Sequence, residues 1–222
     1  MGEAELSDRT GELIIRSVLI FYGDAANADL AHSLGQDVQR YWNEPRASIV
    51  IRNKTYLVRF EVSGLCDPAL EPEKVWYNDD PRLNFFRVEE YASGNISFVD
   101  GLGSNTGYFK LQNLQQTPTT VAHEYGHTIG LPHPQILDVR GQGVPGIMYP
   151  RGTLCDASMQ YDPLAVAGAY GGVMDPAHRK VLKSDIEALN LHKLDFDDRQ
   201  FAKLGEFSSF YHQKHDDPER PQ

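Results

Sequence analysis

His123-Glu124-Tyr125-Gly126-His127-Thr128-Ile129-Gly130-Leu131-Pro132-His133 sets three imidazoles and one carboxylate at fixed offsets. His123 and His127 are four residues apart, so on a helix both rings project from one face, one turn above the other. Glu124 lies beside that face. Gly130 is the residue type that takes a left-handed conformation at low cost and ends a helix. A stop there turns the chain and returns His133 toward the other two rings. Three convergent imidazoles are a ligand set for zinc, and three protein ligands leave a fourth tetrahedral position open, which separates a catalytic zinc from a closed structural one.

Water on such a zinc has its pKa lowered to about 7, and the metal also polarises a carbonyl oxygen. Amide hydrolysis is the natural use of both effects. Glu124 is the expected general base and acid, taking a proton from the attacking water and passing it to the departing amine without binding the metal. A short His-Glu-x-x-His string also occurs as a solvated helix face. Gly130 and His133 fall where a third ligand needs them, and the long pattern is far more restrictive.

The string resembles the metzincin superfamily of zinc endopeptidases, whose pattern is His-Glu-x-x-His-x-x-Gly-x-x-His followed by a methionine turn. Thr128 to Pro134, with proline after the last histidine, resembles the serralysins, and Gly146-Ile147-Met148-Tyr149-Pro150 resembles the methionine turn of the matrixins. The likeness spans Thr117 to Pro150, with a weaker match near Ser184. It implies an α/β (α+β) metzincin-like catalytic domain with a twisted, mostly parallel sheet, a zinc-binding active-site helix and an irregular C-terminal lobe. It also implies that Met148 forms an apolar floor beneath the zinc histidines, which suits an unbranched, polarizable side chain. Met174, within Gly172-Val173-Met174-Asp175-Pro176, is the rival; Met148 lies nearer His133 and in the closer match, and ordinary core filling is the alternative for either. Several metzincins steady the oxyanion with a tyrosine two residues after the turn methionine. Pro150 holds that position here. Tyr149 resembles a residue that is structural in the matrixins, and Tyr161 is the other possible oxyanion or cleft hydroxyl, against an ordinary loop tyrosine.

The length of 222 residues favours one domain. Residues 12–133 form its sheet-and-helix half, 134–194 a lower lobe with the methionine turn and last helix, and 195–222 a polar tail, frayed from His212. A hydrophobic fraction of 41% with 23% charged residues is that of a globular protein. The net charge of −10 argues against a nucleic-acid partner, because phosphate binding needs clustered basic surface. No run reaches the apolar length of a membrane span, since Leu13 to Tyr22 is short and holds Arg16. Met1 to Leu6 lacks the basic start and apolar core of a signal peptide, so the compartment stays open. The expected partner is a protein or peptide substrate, with no nucleic acid and no membrane, and the chain is expected to be a monomer.

Two cysteines, Cys66 and Cys155, do not make a disulfide framework; they either stay as thiols or pair, and Leu65-Cys66-Asp67 faintly resembles a thiolate latency switch. His32, His178, His192, His212 and His215 lack partners at ligand spacing and read as surface residues. Several metzincins carry structural calcium, and Asp79-Asp80 or Asp197-Asp198 offer carboxylates, but no loop has calcium-ligand spacing, so calcium is not assigned.

Along the chain, Leu13 to Tyr22 is a near-continuous apolar run, the pattern of a buried strand. Leu30, Leu34, Val38 and Tyr41 recur at helical spacing from Asn27 to Trp42. Ser48 to Val62 reads as extended chain with a hairpin turn at Arg52-Asn53-Lys54. Shorter strands are expected at Phe85 to Tyr91, Asn95 to Val99 and Tyr108 to Leu111. A helix is expected from Pro118 to Ile129, with Thr117 as its N-cap. The family likeness implies an extended substrate on the sheet's edge strand, for which Gly101 to Leu111 is the candidate. Arg151 to Met174 lacks a period, and its length suits a functional segment; substrate preference is expected there. Ser184-Asp185-Ile186-Glu187 reads as a capping box opening a short last helix. The function expected is zinc-dependent hydrolysis of peptide bonds. A delivered peptidase toxin has the same chemistry, and a non-catalytic zinc-stabilised binding module is the third reading, against which the retention of Glu124 argues.

Overall fold

Glu12–Tyr22 carries large apolar residues on both faces, as a strand covered on both sides requires. The computed structural model describes residues 1–117, 119–166, 168–169 and 173–217. In it Gly2–Ser7 (β1) precedes this central strand (β2). Ala28–Asn43 (α1) follows, then Ser48–Ile51 (β3) and Lys54–Cys66 (β4). Pro72–Trp76 (α2), Leu83–Glu89 (β5), Phe98–Val99 (β6) and Thr106–Lys110 (β7) come next. Leu111–Gln116 (α3), Thr120–Thr128 (α4), Lys183–Ala188 (α5) and Phe201–Leu204 (β8) complete the series.

Eight strands among the described residues form one curled sheet in the order β3-β4-β2-β5-β7-β6, with β1 between β2 and β8. β4, β2, β5 and β7 pair in parallel, while the remaining pairings are antiparallel. One edge of β2 is covered by β4 from Glu12 to Phe21, so β1 and β5 share the other edge, β1 taking Glu12 to Arg16 and β5 taking Val18 to Tyr22. The chain is therefore mixed α/β with a mostly parallel sheet. Between Pro134 and Leu182 the described residues hold only turns, isolated bridges and single 3-10 turns, the irregular lobe expected there.

Helix α1 begins where expected, because the Asn27 side chain accepts a bond from Leu30 N at 2.9 Å, an N-cap worth about 1 kcal/mol. Its buried stripe, Ala31, Leu34, Gly35, Val38 and Trp42, lies on β4 almost backbone to backbone. A Cβ on Gly64 would sit 1.8 Å from the Ala31 carbonyl oxygen, and one on Gly35 would sit 2.2 Å from Gly64 N. The β3–β4 hairpin turns through Arg52 and Asn53, with φ of 49° and 63°, the left-handed pair of a two-residue hairpin loop.

Helix α4 is held from above by two aromatic residues. Trp42 Nε1 donates to the Ala122 carbonyl at 3.1 Å, its ring meets Tyr125 edge-on at 5.7 Å, and the Tyr125 hydroxyl bonds Ser17 Oγ on β2 at 2.9 Å. The site helix is thus referenced to both α1 and the central strand.

Elsewhere the structure departs from the expectations. Asn95 to Val99 is strand only at β6, because Ser93–Asn95 makes a 3-10 turn around Gly94 at φ 77°. Leu111 opens α3 instead of ending a strand. β1, β8 and α2 were not expected; β8 and α2 are too short to show a period, and β1 alternates in burial but with only Ala4 and Leu6 as apolar residues on its buried face. His212 is 6% exposed, not a surface residue, and its segment is not frayed. Tyr22, Phe85 and Tyr108 leave an aromatic face on the sheet, and the tail covers it: Tyr211 stacks on Tyr22 at 5.2 Å, His215 stacks on Tyr108 at 3.9 Å, and His212 Nε2 lies 2.8 Å from Asp100 Oδ1. Residues 218–222 lie outside the described residues. Cys66 and Cys155 are free thiols, the first at the end of β4 and the second in the lower lobe beside Val139 and Met174. No described helix is long and apolar enough to cross a membrane.

The contact between α1 and β4 gives a stability test. Gly64→Ala should lower the unfolding free energy by about 3 kcal/mol through overpacking. Gly101→Ala, with nothing within 4 Å of its added Cβ, should change it by under about 0.5 kcal/mol. Equal urea midpoints for the two variants would contradict the close approach.

Candidate metal centre

Helix α4 starts two residues later than the sequence suggested. Thr119 is its N-cap, not Thr117, and Thr120 N bonds the Thr117 carbonyl at 2.9 Å; Pro118 lies outside the described residues. The Thr119 hydroxyl does not cap, because it donates to the Pro176 carbonyl at 2.7 Å. At the other end Gly130 has φ of 100°. Leu131 N bonds the Gly126 carbonyl at 2.9 Å and Gly130 N bonds His127 O at 3.0 Å, the paired bonds of a Schellman stop. This is the turn that brings His133 back.

His123 and His127 each donate a ring N–H to a main-chain carbonyl. His123 Nδ1 lies 2.7 Å from Ile147 O, and His127 Nδ1 lies 2.7 Å from Leu131 O. A carbonyl oxygen only accepts, so both rings carry the proton on Nδ1 and aim a bare Nε2 lone pair inward. Both lone pairs point at the same atom: His133 Nε2 stands 3.0 Å from His123 Nε2 and 3.0 Å from His127 Nε2. A single proton on His133 can satisfy only one of them. A cation satisfies all three, and nitrogens about 2.05 Å from a tetrahedral ion lie about 3.3 Å apart. The three histidines lie close enough to bind a metal ion. The two carbonyls are the outer partners that fix ring orientation at such a site.

Met148, expected from the sequence as an apolar floor, packs against the helix at Gly126. It is 3% exposed, and a Cβ on Gly126 would sit 2.2 Å from its Sδ, so only glycine fits between His123 and His127 on that side. Met174 belongs to a separate cluster with Val139 and Cys155. The turn preceding Met148 is tied to α5, because Asp185 Oδ2 accepts from Ile147 N at 3.4 Å and from Leu182 N at 2.7 Å. The cap of α5 is therefore Leu182, and Ser184 lies inside the helix. Asp185, not the serine hydroxyl, makes the box bond.

Glu124 is 7% exposed, and burial raises its carboxyl to about 8, with the charge of Arg179 acting in the opposite direction. Sequence reasoning missed Arg179. It is 4% exposed and donates to Thr119 Oγ1 at 3.2 and 3.3 Å and to the Tyr149 carbonyl at 3.1 Å, linking the start of α4 to the methionine turn. Arginine far downstream in an irregular segment carries no spacing signal. The Tyr149 side chain packs beside the Val139, Cys155 and Met174 cluster. Tyr161 is 55% exposed.

The expected substrate edge also shifts. β7 has β5 on one side and β6 on the other. Gly103 N bonds His127 O at 2.8 Å, and Gly103 O accepts from Glu206 N at 2.8 Å. The backbone from Gly103 to Tyr108 is thus already engaged, and the outer edge belongs to β6. Asp80 and Asp197, weighed as calcium ligands, form ion pairs with Arg82 and Arg199.

No family model matches the chain, and no curated protein matches it.

Desolvation lowers all three imidazoles: His123 well below its ordinary value, His127 below it, and His133 to about 4. An unfolded histidine binds a proton below about 6.5, whereas these rings stay neutral in the folded chain, so stability is lost as pH falls from about 6.5 toward 4. Glu124 opposes this: its raised pKa means the folded state holds the proton more tightly, and that contribution fades as pH rises through the window from 4.5 to about 8. Three rings outweigh one carboxyl on the acid side. The urea midpoint of chelator-treated protein should therefore drop steeply between pH 6.5 and 4.5, and added zinc should raise it at pH 7. A midpoint independent of pH over that range would contradict the neutral triad.

Proposed function

We propose that the chain is a zinc-dependent endopeptidase with a metzincin-like catalytic domain. The observation that carries this reading is the convergence of three ring nitrogens, two of them with their ring protons committed outward, on the turn and helix that also hold the buried Glu124. An all-nitrogen set of three suits zinc among the common divalent ions. When bound, zinc supplies Lewis-acid activation of a water molecule and of the scissile carbonyl.

The remaining work falls to the chain's own residues. His123, His127 and His133 hold the ion, with Ile147 O and Leu131 O fixing the first two rings. Glu124 takes the proton of the attacking water on its carboxylate and returns it to the departing amine. Burial raises the Glu124 carboxyl above its ordinary range, and a bound divalent cation would act in the opposite direction, toward the carboxylate that a base requires. Burial that excludes bulk water supports the same role. Met148 and Gly126 keep the ring spacing by close packing. The outer edge of the sheet at β6, two half-buried residues, is the edge left for an extended peptide added by main-chain bonds. Ile136, Leu164 and Val166, exposed at 72, 91 and 72%, offer apolar contact for an unfolded substrate on the lower lobe.

Zinc-loaded protein should cut unfolded casein, and a chelator should stop it. Glu124→Gln should keep one zinc per chain by metal analysis while the cleavage rate falls about 10³-fold. Loss of zinc in that variant would make Glu124 a ligand instead of a base. Zinc-loaded wild type that cleaves no unfolded protein would favour a binding module.

A further inference from the structure

Among the described residues two arginines, Arg87 and Arg179, are buried, and they are treated differently. Arg87, 8% exposed, is paired with Glu89 at 2.6 Å, as a desolvated charge requires. Arg179, 4% exposed, has no ion-pair partner among the described residues, and its bonds go to the neutral oxygens of Thr119 and Tyr149. Burial lowers its pKa to about 10, and the nearby charge of Arg151 acts the same way. Arg151 is exposed, likewise has no ion pair among the described residues, and donates from Nη2 to Thr117 Oγ1 at 3.3 Å. Two guanidinium groups are thus hung on hydroxyls two residues apart, at the start of the nine-residue helix that carries His123, Glu124 and His127.

The acids around them do not neutralise the pair. Glu124 acts on Arg179 through space and is reserved for proton transfer in the reading above. Asp175 accepts from Ala177 N at 2.9 Å and is not ion-paired with either arginine. Positive charge therefore gathers beside the metal centre in a chain whose net charge is −10. A planar guanidinium fork matches a carboxylate in two parallel bonds, and the helix start adds partial positive charge.

We propose that Arg151 and Arg179 form a subsite for a substrate carboxylate, which directs cleavage to peptides bearing an acidic group close to the scissile bond. That group is either an Asp or Glu side chain or the peptide's own C-terminal carboxylate. The proposal rests on the peptidase reading. It differs from a purely structural role for Arg179, in which the arginine only ties α4 to the methionine turn, because a strut leaves Arg151 without influence on substrate choice.

The test compares kcat/KM of the zinc-loaded full chain on matched peptides: Asp against Asn and Glu against Gln at each position flanking the cleaved bond, each with a free and an amidated C-terminus. A tenfold or larger preference for the acidic side chain supports the subsite and assigns it to side chains. The same preference confined to free C-termini supports it and assigns it to the chain end. Arg151→Gln should cut the preference to threefold or less, and Arg151→Glu should turn it toward Lys; Arg151 is exposed, so both variants are expected to fold. Arg179→Lys, which keeps charge and loses the fork, should fall between. Equal rates on acidic and amide peptides in every arm, or a preference that Arg151→Glu leaves intact, would overturn the subsite while the peptidase reading stands. Failure to cut any peptide overturns both.

Discussion

Two ring N–H groups committed to carbonyl oxygens determine what this centre can be. Once His123 donates to Ile147 and His127 donates to Leu131, neither ring can offer a proton inward. Their lone pairs face a third imidazole nitrogen at 3.0 Å. Repulsion among three such nitrogens, held by burial and a helix stop, is relieved by a cation. The two acceptors come from different parts of the chain: one is the turn that ends α4, the other lies immediately before Met148. The upper half and the lower lobe meet through that second carbonyl, and the ring orientation needed for coordination depends on their relative position.

The fold fixes that position by several independent contacts. Trp42 and Ser17 hold α4 against α1 and β2, Met148 packs against it at Gly126 where the Trp42 ring also reaches, and Asp185 ties the turn before Met148 to α5. Close packing at Gly126 leaves no room for even one added methyl group, so the spacing between His123 and His127 is set by volume as well as by hydrogen bonds. Rigid support of this kind is what a metal-binding constellation needs. Arg179 belongs to the same framework, yet its uncompensated charge costs stability that a neutral strut would not.

Much of this was legible in the sequence because it rests on local spacing. The offsets in His123 to His133, the glycine stop and the methionine string each express themselves within a few residues. Long apolar strands and the amphipathic α1 were legible for the same reason. The readings that failed depend on distant partners. Thr117 looked like a cap until Arg179, sixty residues beyond the true cap Thr119, was seen to use the Thr119 hydroxyl. Gly101 to Leu111 looked like an edge because nothing in its composition announces that Phe98–Val99 pairs outside Thr106–Lys110. His212 looked like surface because the aromatic face it covers is assembled from β2, β5 and β7.

The account turns on how many protein nitrogens surround the ion and whether a coordination position is left for a non-protein ligand. X-ray absorption at the zinc edge of the reconstituted chain reads this directly. It should give three imidazole nitrogens and one or two oxygen neighbours at about 2.0–2.1 Å. A shell closed by a fourth protein ligand, including a sulfur at about 2.3 Å, or failure to take up one zinc per chain, would contradict it.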